Sequence, residues 1–198
     1  MMKIHLLVVI SALLTICIWG CEPPGDCISC QNEAPVSIDS ARKVLSLMEK
    51  EYVNGRTGIE EVDRSVTLEG DSVFMKIAGR SCAFRDAFLR IVREKETNNL
   101  KKELALYSFQ KICIEQYIEI VNDLYTDYKS SVISKKLFMI SCSANLSYEI
   151  ARGYKNEKMQ QLMTVLISDP TFEEHERKYF LALKNGDVWY GRVHAPKS

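Results

Sequence analysis

Seven cysteines, three histidines and a scatter of acids are the residues of this 198-residue chain whose types could carry chemistry. Cys27-Ile28-Ser29-Cys30 has the spacing of a redox dithiol. That chemistry needs the pair at the start of a helix following a strand, where the helix dipole lowers a thiolate pKa, and nothing strand-like precedes Cys27. Zinc would need a second ligand pair, and the chain has neither a second CxxC nor an HxxxH. A c-type haem would need His after Cys30, where Gln31 stands. Structural disulfides are therefore the expectation for Cys27 and Cys30.

The acids are weaker candidates. Glu173-Glu174-His175-Glu176 looks acidic enough for a cation, yet only residues three or four apart share a helical face, which leaves Glu173 with Glu176. A di-iron pair would need Glu where Phe172 sits. A zinc protease would need a second histidine that His175-Glu176-Arg177-Lys178-Tyr179 lacks. An acidic first turn beside the helix dipole accounts for the run. Glu103, Glu115, Glu119, Asp123 and Asp127 could be assembled by folding into a hydrolase site, for which glycoside cleavage needs two acids about 5–10 Å apart in a cleft. There is no GxSxG, P-loop or GxGxxG. No catalytic residue, metal ligand or cofactor is predicted. Lys+Arg and Asp+Glu balance at 26 each with no basic block, which removes the electrostatic basis for nucleic-acid binding.

Binding is the remaining chemistry. Trp189-Tyr190-Gly191-Arg192 combines the residue types commonest at interface hot spots. Trp189, Tyr190 and Arg192 are accordingly the interaction candidates, against the plainer account of a short edge strand packed on the core.

The leading residues place this chemistry in a compartment. After Met1-Met2-Lys3 the run Ile4–Trp19 is apolar except for His5, Ser11 and Thr15, the pattern of a secretory leader and too short to span about 30 Å of hydrocarbon. Ile18-Trp19-Gly20-Cys21 resembles the bacterial lipobox, with Trp19 the one departure from its pattern. The resemblance implies a signal peptide over 1–20, with Cys21 lipidated as the mature N-terminus. It implies a membrane-anchored lipoprotein of the bacterial cell envelope, facing the periplasm or the cell surface. Leader removal discards Cys17 and leaves six cysteines. Lipidation of Cys21 leaves five thiols and one unpaired, whereas ordinary cleavage leaves six with 15 connectivities, so parity weighs mildly against the anchor. Either route delivers the chain to an oxidising space.

Residues 21–36, with Pro23, Pro24, Gly25 and Pro35, read as the lipid-attachment site and a flexible tether, and 37–198 as a single globular domain. The expected fold is mainly α (α+β), with about six helices, a β-hairpin and a short C-terminal strand. Ser37 or Asp39 caps a helix with Ala41, Val44, Leu45, Met48 and Tyr52 inward, stopped by Asn54-Gly55. Val66 and Leu68, then Val73, Met75 and Ile77, alternate about Glu69-Gly70-Asp71 as a hairpin. Ser81 caps the next helix, a broad-striped helix runs from Leu100 to Tyr128, and further helices cover 132–151 and 157–167. Asp169-Pro170 opens a last helix to Asn185-Gly186, and 188–193 is a strand that could join the hairpin.

The predicted turn at Lys129–Ser131 lies close to midway between Cys113 and Cys142. In an antiparallel hairpin the two cysteines would be about four residues, roughly 6 Å, out of level. A Cys113–Cys142 disulfide is the expectation, leaving Cys82 for Cys27 or Cys30. The function expected is a non-enzymatic module of the immunity or inhibitor kind that binds another envelope protein. The alternative is an envelope hydrolase with a carboxylate site in its helical core.

Overall fold

Local signals start most of the helices. The structure, a computed structural model, describes residue 30 and residues 33–54, 72–109, 112–146, 150, 156–189 and 192–193, with the backbone alone at 188, 189, 192 and 193. Helix α1 is Ile38–Asn54. Its cap is Ser37, whose Oγ accepts from the Ser40 N–H at 3.2 Å. Ala41, Leu45 and Met48, spaced four and three apart, are its buried stripe. Helix α2 is Ser72–Ala78 and α3 is Ser81–Arg93. Helix α4, Asn99–Tyr107, is capped by Asn98, whose Oδ1 accepts from Lys101 N at 2.9 Å.

Helix α5, Ile114–Lys129, buries Ile114, Tyr117, Ile118, Ile120, Val121 and Leu124. So wide an arc lets it lie between two neighbours. Those are α6, Lys135–Ser141, and α7, Glu157–Ser168. Ser134 and Asn156 cap α6 and α7 through side-chain oxygens. Helix α6 runs into a π-helical turn, Cys142–Leu146. Helix α8, Glu174–Asn185, packs on α7 and stops at Gly186, whose φ of 78° only glycine adopts without cost. Helix α1 crosses α3 and α4, and α4 packs on α6. One continuous core results, with Phe74, Phe88, Phe109, Tyr117, Phe138, Phe172 and Phe180 its largest fully buried side chains.

Several expectations are corrected here. The second arm of the predicted hairpin is helical: α2 buries Phe74, Ile77 and Ala78, the three- and four-residue spacing of a helical face, and leaves Val73 half-buried. Tertiary contact decides this ambiguous run. Glu51 of α1 accepts from the Val73 N–H at 3.1 Å and so satisfies a first-turn donor that the sequence nearby leaves open. The first arm, 66–68, lies outside the described residues.

The long helix predicted over 100–128 is two helices, broken where Ser108, Phe109 and Ile112 turn inward as core residues. Ser81 caps nothing. It is buried inside α3, and its hydroxyl donates to Ser108 O at 2.7 Å, fastening α3 to that break. Asp169-Pro170 does not open α8, which starts four residues later at Glu174. The single strand predicted over 188–193 is two short strands among the described residues. Val188–Trp189 (β1) instead pairs antiparallel with Arg192–Val193 (β2), so Trp189 stands opposite Arg192 rather than alternating with it along one strand.

The predicted tether is fastened at its far end. Cys30 is disulfide-bonded to Cys82 in the first turn of α3. The Val36 N–H donates to Ala83 O at 2.8 Å, and Glu33 accepts from Ala83 N at 2.9 Å, a carboxylate set at the positive end of α3. With the two cysteines 52 positions apart in sequence, the cross-link is worth about 4 kcal/mol in the chain-entropy picture. Cys30→Ala with Cys82→Ala should therefore lower stability by about that much in denaturant unfolding. A loss under about 1 kcal/mol would mean that the hydrogen bonds of Glu33 and Val36 hold the segment without it.

Candidate functional site

Of the pairings predicted, Cys82 with Cys30 is formed and Cys113 with Cys142 is not. Cys142 is a free, buried thiol, so the expected Cys113–Cys142 bond is not formed. Its place in the π-helical turn seals it into the core, and burial pushes the thiol pKa well above its ordinary value, leaving it inert. Cys113, at the start of α5, is disulfide-bonded, and Cys30 is bonded to Cys82. Cys30 is thus no part of a Cys27–Cys30 dithiol. Cys27 and Cys21 lie outside the described residues.

The five helical acids are spread out and not assembled into a site. Glu103 of α4 meets Lys136 Nζ at 2.6 Å, Glu119 of α5 meets Lys158 at 3.1 Å, and Asp127 takes Arg93 Nε at 2.7 Å. Glu115 and Asp123 are exposed on α5 at the same four-residue spacing as Glu119. Each of the three paired acids ties α4, α5 or α3 to a neighbour. Among the described residues no group of three His, Cys, Asp or Glu could hold a metal ion. The acidic run at 173–176 opens α8: Glu176 is buried, accepts from the Glu173 N–H at 2.7 Å and meets Lys135 Nζ at 3.0 Å, while Glu174 pairs with Lys178.

The polar centre that sequence reasoning missed is Asp169. Its side chain is 4% exposed and its carboxylate accepts from Tyr125 OH at 2.6 Å, from Lys129 Nζ at 2.9 and 3.1 Å, and from Thr171 N at 2.9 Å and Oγ1 at 2.8 Å. Burial by itself would raise the carboxyl pKa. The donors from Tyr125, Thr171 and Lys129 outweigh it and hold the group well below the usual carboxylate range. Burial, together with the bond to Asp169, pushes the Tyr125 phenol up. Beneath lie stacked and tilted rings of Tyr125, Tyr128, Phe138 and Phe172, with Phe180 edge-on to Phe172. A carboxylate so saturated has no lone pair left for a substrate and no readiness to take a proton. Its chemistry is to lock the α7–α8 turn onto the end of α5. Asp169-Pro170 was read as a helix start, and Tyr125 and Lys129, which give Asp169 its role, stand 44 and 40 residues away.

The interaction candidates emerge at the opposite end. Glu119 meets Lys158, so α7 starts level with the first half of α5, and Gln160 Nε2 donates to Lys184 O at 3.1 Å, bringing the end of α8 to the same level. The ladder carrying Trp189 and Arg192 follows at once, beside an open polar depression lined by Asn156, Glu157, Gln160, Lys184 and Asn185. Tyr190 lies outside the described residues.

Replacing Asp169 by Asn should cost about 2–3 kcal/mol, since charged hydrogen bonds are lost while Tyr125 stays partly buried. The folded-state pKa is the lower one, so the stabilisation is complete above the unfolded carboxylate range near pH 4 and is lost as pH falls below it. Urea unfolding of both proteins should show their difference shrinking from about pH 5 towards pH 2. A constant difference across that range would refute the ionised lock.

No protein-family model matches the chain, and neither the curated proteins nor the solved structures compared with it give a match.

Proposed function

We propose that this chain is an exported bacterial envelope lipoprotein, held at a membrane through lipid on Cys21 and facing the periplasm or the cell surface, that acts by binding another envelope protein. The observation that carries the anchor is the free, buried Cys142. Counted from sequence, lipidation of Cys21 leaves an odd thiol, which speaks against it. With Cys142 withdrawn into the core the parity turns over. A thioether on Cys21 then leaves four cysteines for disulfides, Cys27, Cys30, Cys82 and Cys113, which is an even set.

Binding is favoured over hydrolysis by what the acids do. Glu103, Glu119 and Asp127 are spent on cations of neighbouring helices, and Asp169 on five donors. In that state they serve as fasteners. The Trp189, Tyr190 and Arg192 segment supplies the residue types of an interface anchor, in a partner-binding mode of the immunity or inhibitor kind.

Cys21→Ser should release the protein from the membrane fraction and remove the acyl mass. Unchanged fractionation and mass would sink the anchor. Trp189→Ala and Tyr190→Ala should each weaken capture of the envelope partner, and loss of an anchor worth 2 kcal/mol is about thirty-fold in Kd. A drop in melting temperature equivalent to about 3–5 kcal/mol for Trp189→Ala, with capture retained, would instead make it a core residue.

A further inference from the structure

Asp169-Pro170 is the only Asp-Pro pair in the chain. Such a bond carries its own cleavage chemistry. The un-ionised aspartyl carboxyl closes a five-membered ring on its own main-chain carbonyl carbon, an intramolecular attack that needs no second molecule. The proline nitrogen, part of a tertiary amide, takes up the carboxyl proton more readily than an ordinary peptide nitrogen, and the bond to it breaks. Water then opens the cyclic anhydride, restoring the side-chain carboxyl and leaving a main-chain carboxyl on one fragment and a secondary amine on the other.

The fold denies the first step. Oδ1 of Asp169 accepts from Thr171 N, Thr171 Oγ1 and Lys129 Nζ, and Oδ2 accepts from Tyr125 OH and Lys129 Nζ, so neither oxygen can turn onto the carbonyl carbon without losing donors. The carbonyl under attack is held as well, accepting from the Phe172 N–H at 3.3 Å. The charges around the corner keep the side chain ionised. Lys129 of α5 bonds it directly, Glu173 and Glu176 of the α8 turn are matched by Lys135 of α6, and the phenols of Tyr125 and Tyr128 are uncharged in acid. Pro170 and Thr171 are exposed, so water is at hand on the proline side of the bond.

We propose that Asp169-Pro170 is an acid-triggered self-cleavage site that the hydrogen bonds of Asp169 hold shut. Folding lowers the carboxyl pKa, so the folded chain keeps the carboxylate ionised, and the bond intact, in acid where an unfolded aspartate near pH 4 has already taken its proton. Once acid opens the corner, the cut is one-way. It severs residues 170–198, with all of α8 and the ladder of Trp189 and Arg192, from the rest of the bundle. The inference stands apart from the anchor and partner readings.

Intact mass after incubation at about pH 3.5, below the ordinary aspartate value, tests it on the full chain with and without urea. The unfolded chain should yield two fragments, one ending at Asp169 and one beginning at Pro170, and Pro170→Ala should yield neither. The folded chain should be cut more than about tenfold more slowly, because a bond opened only by unfolding is cut in proportion to the unfolded population. Lys129→Met removes a cation bonded to both oxygens, and Tyr125→Phe removes one hydroxyl. Each, with its fold verified by circular dichroism at the same pH, should be cut faster than wild type without urea and equally fast with it. An unfolded chain that stays whole at Asp169 overturns the site, and equal rates for folded and unfolded wild type overturn the shield. An unaltered folded rate in both variants overturns the part given to the hydrogen bonds.

Discussion

A carboxylate closed off from water must fill its lone pairs from the protein or give up its charge. Asp169 fills them from three directions at once: from Thr171 in its own turn, and from Tyr125 and Lys129 one helical turn apart on α5. The turn between α7 and α8 is thereby set on the C-terminal end of α5, and α8 must begin where Glu173 and Glu176 do. Lys135, at the start of α6, closes the same corner through Glu176 and the Thr171 carbonyl. Four helix ends thus meet over one aromatic cluster. Charge supplies direction there, since apolar contact among Tyr125, Tyr128, Phe138 and Phe172 alone would tolerate sliding.

The far end of the bundle is fastened covalently. Cys30 and Cys82 tie the start of the described chain to the first turn of α3, and Cys113, at the start of α5, is bonded as well. The one thiol left is the one that oxidant cannot reach, because Cys142 lies wholly inside the core.

Capped helices were legible in part. Ser37 was read as a cap, and the inward stripes of α1 and α7 follow from spacing alone, whereas Asn98 and Asn156, which cap by the same three-residue signal, were not read as caps. The errors fall where two local readings cost nearly the same. Residues 73–78 suit alternation and helical spacing alike, and Glu51, more than twenty residues earlier, tips them to helix. Leu100 to Tyr128 keeps helical periodicity through 108–113, yet a continuous helix could not turn both Phe109 and Ile112 into the core while bringing Ser108 to Ser81. The candidate site shows the same division. Asp169 was legible as a capping residue, though of the wrong element, and its partners were not, and the nearly level positions of Cys113 and Cys142 suggested a bond that is not formed, Cys142 being a free thiol in the core.

By itself the sequence determined the mainly helical character and the absence of any nucleotide or nucleophile motif, because each of these resides in short stretches of residue types. Only the tertiary structure decided which cysteine Cys30 would take, which acids would be consumed by cations, and which end of the bundle would carry the C-terminal ladder. Those outcomes depend on side chains tens of residues apart arriving at one point. Spacing along a chain fixes the face of a single helix, but not which face of another helix will meet it.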